Sequence, residues 1–426
     1  MLFNKGLVLA KEETTFRTDP GPSSTVNALE VIAPDFTPEF SLIERETITG
    51  DLSPKQGNMG RKLGRLSFSV EVKNGGTAGT AARIDPLLKA CSMVRTATTA
   101  SGTFLFGTTA FPINGAGELT FSVNASYTGT VPRRVHIRKQ ASAAVDIYAA
   151  ATTADSAVKA LATATAGTVT LVNSASISSV DISGAAIGDS FSVFLVPAGL
   201  KYQTTTHADD ADNQSCTLWF YVDGVLHKMR GCRGTFSVEA TSGEFGVFNF
   251  DFTGDYVVAA DTAFPTTITY ETTVPPITET AALSIAAGTG RAGGVDDVQD
   301  GPGSPASIVA SSFGFDIGNS IAPRLDVTSS DGYAGAKVTG RAPTFSVDPE
   351  VNTIANQDLY SHVESGQLFD VMAGIGGSVG NRVYFFGPQA QMTAANYADR
   401  DNTRVFNVES NLVRKAGNDE FAVWLG

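Results

Sequence analysis

A chain of 426 residues, 42% hydrophobic and 17% charged, is long enough to build two or three domains with separate cores. Its formal net charge of −13 is spread along the chain, and a surface of that sign repels phosphate, which excludes a tight nucleic-acid binder. No stretch reaches the roughly twenty apolar residues of a spanning helix, so no membrane span is expected. The opening MLFNKGLVLAKEE is too short in its apolar part, and lacks the small-residue cleavage site, for a secretory leader. Cys91, Cys216 and Cys232 have no zinc-like spacing and are expected as free thiols in a reducing cytosol. Phe outnumbers Trp and Tyr together, and Thr, Val, Ser and Gly abound, a composition of strands joined by small turn-formers.

Residues 1–40 are rich in Pro, Thr and charge and read as an N-terminal arm lying on a neighbouring subunit. From Ile43 the text tightens into IERETITGDL and then GRLSFSVEV, where Leu66, Phe68, Val70 and Val72 share one face of a strand. In ARIDPLLKACSMV, Asp85 is the expected N-cap and Pro86 the first helical residue. Leu87, Leu88, Cys91 and Val94 form the apolar stripe of a short core helix.

Residues 115–202 change texture into short strands such as ELTFSVN, RRVHIRK, VDIYAA and DSFSVFLV, the spacing of a small β-sandwich. They read as a domain inserted into a first domain made of 41–114 and 203–260. Leu218–Tyr256 is a meander whose Asp223-Gly224 pair marks a tight hairpin turn. In its last strand Phe248, Phe250 and Phe252 alternate with Asn249 and Asp251, one dry face and one wet. Residues 261–306 read as a linker by their Pro, Gly and Asp content, and 307–426 as a second domain with its own Asp331-Gly332 turn.

The two halves repeat. GRLSFSVE (64–71) precedes the first helix, and GRAPTFSVD (340–348) precedes NQDLYSHVES, a second helix with Leu359, Tyr360 and Val363 inward. RGTFSVEATS with GEFGVFNFDF is answered at the C-terminus by RVFNVESNL with DEFAVWLG. The expected fold is therefore mainly β: two β-sandwich or barrel domains, each with a short flanking helix, and a small inserted β-sandwich.

The stretches IERETITGDL, GRLSFSVEV with NGGTAGT, DPLLKACSM, and YVDGVLHKMRGCRGTFSVE closing on FDFTGDY resemble the tail tube protein of long-tailed, siphovirus-like bacteriophages. The likeness covers the first half outside the insertion and, more weakly, the second through GRAPTFSVDPE and GNRVYFFGPQAQ. It implies a non-enzymatic virion protein of the tail, made in the host cytoplasm, whose rings stack into a hollow tube for DNA ejection. The partners implied are copies of itself, a tape measure protein, a tail terminator and passing DNA that is not gripped. Relatives with one domain per chain form rings of six, and duplicated relatives form trimers with pseudo-six-fold symmetry; the repeat favours the trimer, with the inserted domain projecting outward. Glu239, Asn249 and Asp251 are the candidate lumen-facing side chains.

Catalytic, cofactor and metal sites are not expected. GTGRAGG (288–294) is followed by Gly and Pro breakers instead of a helix, so it does not make a dinucleotide site. HADDADNQS (207–215) lacks the Gly and Glu of a calcium loop, and His136, His207, His227 and His362 form no motif. RRVHIRK (133–139) reads as an exposed basic strand. Two rivals share the β-rich texture: a virion decoration or receptor-binding protein, which would stay a discrete oligomer, and a carbohydrate-active enzyme with paired acids.

Overall fold

A computed structural model of the chain describes residues 5–426 apart from 49, 51–52, 54, 100–101, 108–110, 115–119, 125–126, 128, 142–143, 151–158, 162–168, 171–175, 182–188, 207–213, 280, 288–308, 330–331 and 355–357. The fold is mainly β, in large antiparallel sheets.

The first half opens with β1 (Gly6–Glu12), β2 (Ala28–Leu29), β3 (Ile32–Ile43), β4 (Asn58–Glu71), α1 (Asp85–Ala90) and β5 (Met93–Thr98). An excursion follows with β6 (Thr103–Phe104), β7 (Phe111–Asn114), β8 (Thr120–Asn124), β9 (Arg133–Ala141), β10 (Ala144–Ala150) and β11 (Lys159–Leu161). It closes with β12 (Val169–Thr170), β13 (Ser176–Asp181) and β14 (Ser190–Val196). The chain returns through β15 (Gly199–Thr204) to β16 (Cys216–Val222), β17 (Val225–Thr241) and β18 (Val247–Asp261). The second half holds β19 (Ala282–Ala287), β20 (Ala310–Asp316), the hairpin β21 (Asn319–Leu325) and β22 (Tyr333–Arg341), β23 (Thr344–Pro349) and α2 (Leu359–Ser365). It ends with β24 (Leu368–Ile375), β25 (Val383–Arg400), β26 (Thr403–Leu412) and β27 (Ala422–Leu425).

One pairing order occurs twice. The first half runs β1-β16-β17-β18-β4-β3 and the second β19-β24-β25-β26-β23-β20, every pair antiparallel. In each half the chain visits those six strands in the same sequence, with the helix between the third and the fourth. β17 then pairs with β20, so the two halves share one sheet. The Asp223-Gly224 turn joins β16 to β17 with both residues at positive φ, 37° and 101°. β17 shifts register against β18 between Arg230 and Arg233, where Gly231 has φ 58°. A bulge of this kind bends a strand, and it lets β17 serve one layer with each of its ends. The dry faces of the layers meet in one aromatic core: the Phe385 ring lies 5.9 Å from Phe248 and 5.6 Å from Phe315, and Phe421 lies 5.6 Å from Phe315.

Several local expectations change. Residues 6–12 are no arm on a neighbour: Leu7, Val8, Leu9 and Ala10 are each 1% exposed or less, and β1 pairs with β16 along its length. A strand covered on both faces shows a continuous apolar run, so it offered no alternation to read. Within 261–306, Phe264, Ile268 and Tyr270 pack on Leu7 and Leu9, and β19 pairs with β24, so this stretch is not merely a linker. The strand pairing of the inserted segment begins before 115, since β6 and β7 pair with β14, and it ends where β15 pairs back on β5.

In α1 the N-cap is Ile84 with no side-chain cap; Asp85 is the first helical residue and its carboxylate takes the Tyr202 hydroxyl at 2.8 Å and Arg95 at 2.9 Å. Val94 is already in β5 and exposed, off the helical stripe. In α2 Asp358 caps Ser361 at 3.0 Å and Leu359 is buried, whereas Tyr360 faces outward against Tyr397 and Phe406. The closing-hairpin echo is offset by one strand. β26 and β27 do not pair with each other but lie in succession along β25, so RVFNVES of β26 takes the place of GVFNFDF in β18.

Candidate functional site

The wet face of the shared sheet is continuous. Ser69, Asn249, Ser237, Asp316, Thr344, Asn411 and Gln391 stand directly opposite one another, one to a strand, across β4, β18, β17, β20, β23, β26 and β25. A neighbouring row holds Glu71, Glu239, Gly314, Ser346 and Glu409, and another Asp35, Ser67, Asp251 and Thr235. Side chains two apart on a strand share a face, so these rows form one surface dominated by hydroxyls, amides and carboxylates and interrupted at Val247, which stands between Glu71 and Glu239, and at Gly314.

Glu239, Asn249 and Asp251 are thus brought together on one face: Glu239 and Asp251 are exposed, and Asn249 accepts a hydrogen bond from the Ser69 hydroxyl at 2.6 Å. Two arginines on the strands of this face, Arg65 of β4 and Arg400 of β25, are ion-paired. Arg65 lies 3.2 Å from Glu39, and Arg400 is 2.9 Å from both Asp348 and Glu350. The field over the face is therefore negative, which disfavours adhesion of a polyanion.

The face ends in two open strand edges. Among the described residues β3 pairs with β4 alone. β25 has β24 on one flank as far as Gln391 and β27 and then β26 on the other, so beyond Gln391 its first flank carries no strand among the described residues. Unpaired N–H and C=O groups along such an edge are a template for another chain. Pro34 and Pro38 remove two donors from β3, which restricts the neighbours it accepts.

No known protein family and no curated protein matches the chain.

The remaining sequence candidates do not converge. His227 lies against the Phe36 ring at 4.7 Å and burial lowers its pKa; His362 shares a 3.1 Å hydrogen bond with Gln367 and is likewise lowered by burial. His207, most of the 207–215 loop and 288–294 lie outside the described residues, as does the side chain of His136. Among the described residues no three His, Cys, Asp or Glu form a metal-sized group. Cys91, Cys216 and Cys232 are buried, and burial raises all three thiols. The basic RRVHIRK strand is not simply exposed: Arg134 is 1% exposed and ion-paired at 3.3 Å with buried Asp370 of β24, because the inserted segment packs on the second half.

Sequence reasoning missed Ser69, Ser237, Asp316, Thr344, Asn411 and Glu409. Their signal was present in the polar positions of LSFSVE, TFSVE, FGFD, TFSVD and VFNVESN, which alternate as Asn249 and Asp251 do.

Proposed function

We propose that the protein is the structural subunit of a hollow tube, in the manner of a phage tail tube protein in its duplicated-domain form, and that it catalyses nothing. The observation that carries this reading is the polar face crossing both halves from β4 to β25, on a sheet in which β3, beside β4, and β25 beyond Gln391 each leave one edge without a strand among the described residues. Within one chain the two halves already meet across a joint: β17 of the first half pairs with β20, the edge strand of the second. β25 and β3 are the equivalents of those two strands and remain open. Pairing β25 of one copy with β3 of the next repeats that joint and closes a ring, a heterologous contact that a rotation completes.

Three chains then give six quasi-equivalent units around the bore, with the acidic face inward. A tape measure protein and a tail terminator would be partners, and ejected DNA would pass without being held. Such rings stack in the virion tail. A decoration or receptor-binding protein would remain a discrete oligomer. Electron microscopy of the purified protein, with the mass of a single ring measured alongside, tests the reading: trimers that lengthen into hollow tubes are expected, and a monodisperse particle without a channel overturns it.

A further inference from the structure

Outside the polar face, a cleft of about 560 Å³ lies between β22 and the turn that follows β26. Lys337, Arg341 and Arg414 line it together with Pro343, Leu412 and Asn418. Its volume lies within the roughly 300–1,000 Å³ that encloses a small ligand or a few side chains. Arg341 is committed: it pairs with Glu420 and donates to the Thr205 carbonyl at 3.1 Å. Lys337 and Arg414 have no carboxylate within ion-pair distance among the described residues, an unusual concentration of free positive charge in a chain of net charge −13.

The cleft sits at one end of the sheet. Pro343 precedes Thr344, and Leu412 follows Asn411, both members of the polar row. Followed in the other direction, the same strands lead through Ser346 and Glu409, and through Glu239, to the opposite rim, where β17 turns into β18. That rim is of contrary character. Glu244 is exposed there, and Phe245, Ile277 and Val309 are 45%, 46% and 54% exposed. They are held together by the Phe245–Ile277 bridge, by Thr278 donating to the Glu244 carbonyl at 2.8 Å and by Ser242 donating to Ser311 at 2.8 Å. A turn with an exposed apolar side chain and an exposed carboxylate thus occupies one end of the strands, and a cleft lined by cations, with Pro343 and Leu412 at its base, the other.

We infer that the cleft is a socket for a second copy of this chain, and that it receives the Ser242–Gly246 turn of the copy stacked against it along the strand direction. Glu244 would lie between Lys337 and Arg414, and Phe245 against Pro343 and Leu412. Charge complementarity sets the polarity of the stack, because two like rims would oppose acid to acid or cation to cation. The inference rests on the tube reading and adds to it the axial contact and its direction.

The test is assembly of the Lys337→Glu/Arg414→Glu variant, followed by ring mass and by tube length in micrographs. Neither residue belongs to the polar face or to the open edges, so rings should form while tube length falls roughly tenfold or more at physiological salt, since screening there leaves close partly buried charges effective. Adding Glu244→Lys to the same variant should restore lengthening, which a merely misfolded socket would not permit. Tubes of unchanged length overturn the socket and leave the tube reading intact. Loss of rings together with tubes also overturns an axial role. Wild-type protein that makes neither ring nor tube overturns both proposals.

Discussion

Ser237 and Asp316 stand opposite each other where β17 meets β20, and this contact is the seam at which two copies of one strand pattern become a single sheet. The seam is informative because the pattern predicts a second one. Ile32, Ser69, Asn249 and Ser237 form a row across the first half, as Gly314, Ser346, Glu409 and Ala394 do across the second. Gly314 pairs with Glu239, two residues beyond Ser237. By the same step Ile32 of the next copy should face the residue two beyond Ala394, which is Asn396.

A cross-link tests that register. In an Ile32→Cys/Asn396→Cys variant the new thiols should oxidise between protomers to give a covalently closed trimer, because directly opposed strand residues bring Cα atoms to about 4.5–5.5 Å, within disulfide range. The native cysteines are buried and should stay silent. Denaturing electrophoresis of oxidised tubes reads the result; monomer from intact tubes would show that the seam lies elsewhere.

The inserted segment should prove energetically tied to the second half and not to the half that encloses it in sequence. Asp370→Ala leaves the Arg134 charge buried without its carboxylate, and breaking a buried pair from one side costs about 3–5 kcal/mol. Removing both charges, as Arg134→Met/Asp370→Leu, should recover most of that loss. Denaturant midpoints of the variants against the parent decide it, and additive losses would argue against coupling.

The sequence displayed what depends on near neighbours and concealed what depends on distant ones. The Phe248–Asp251 alternation, the Asp223-Gly224 turn and both short helices follow from residues within a few positions of each other, and they stand where expected. Pairing order is a long-range property. RGTFSVEATS resembles RVFNVESNL as text, yet the first is β17 and the second occupies the place of β18, because Phe, Val and acid at alternate positions suit any strand of this sheet. β1 escaped notice since both its faces are covered, and the rest of the polar row did because its members meet only through pairing across seven strands.

Tyr202 and Tyr333 make the fold sensitive to alkali. Burial pushes both phenols well above the ordinary value near 10, reinforced for Tyr202 and Tyr333 by the nearby carboxylates of Asp85 and Asp255 respectively. The folded state keeps its protons to higher pH than the unfolded chain does, so this contribution is fully present below about pH 10 and is lost as pH rises from there toward the folded values. Phenolate absorbance should therefore show these two groups ionising only together with unfolding. Tyr202→Phe keeps the ring, removes the bond to Asp85 for about 1 kcal/mol, and should delete one late-titrating group. Two phenols titrating reversibly in folded protein would contradict the burial argument.

The sign of the polar face can be reversed without touching the core. Glu239, Asp251 and Asp316 are exposed, and their strand neighbours Val238, Phe250, Phe252 and Phe315 carry the packing on the other side. The triple variant Glu239→Lys/Asp251→Lys/Asp316→Lys should fold: exposed substitutions away from caps and ion pairs usually shift stability by no more than about 0.5 kcal/mol, and losing the hydrogen bond that the Asp316 carboxylate accepts from the Gly318 N–H at 2.7 Å adds about 1 kcal/mol. If the face lines a conduit, tubes of this variant should retain short duplex DNA that tubes of the parent leave free. Retention should weaken as salt rises, with a logarithmic slope near 0.9 for each phosphate engaged. Cutting the tubes short by sonication should raise retention per unit mass if the open ends admit the DNA. Equal, end-independent binding would instead place the altered face on the outside of the assembly.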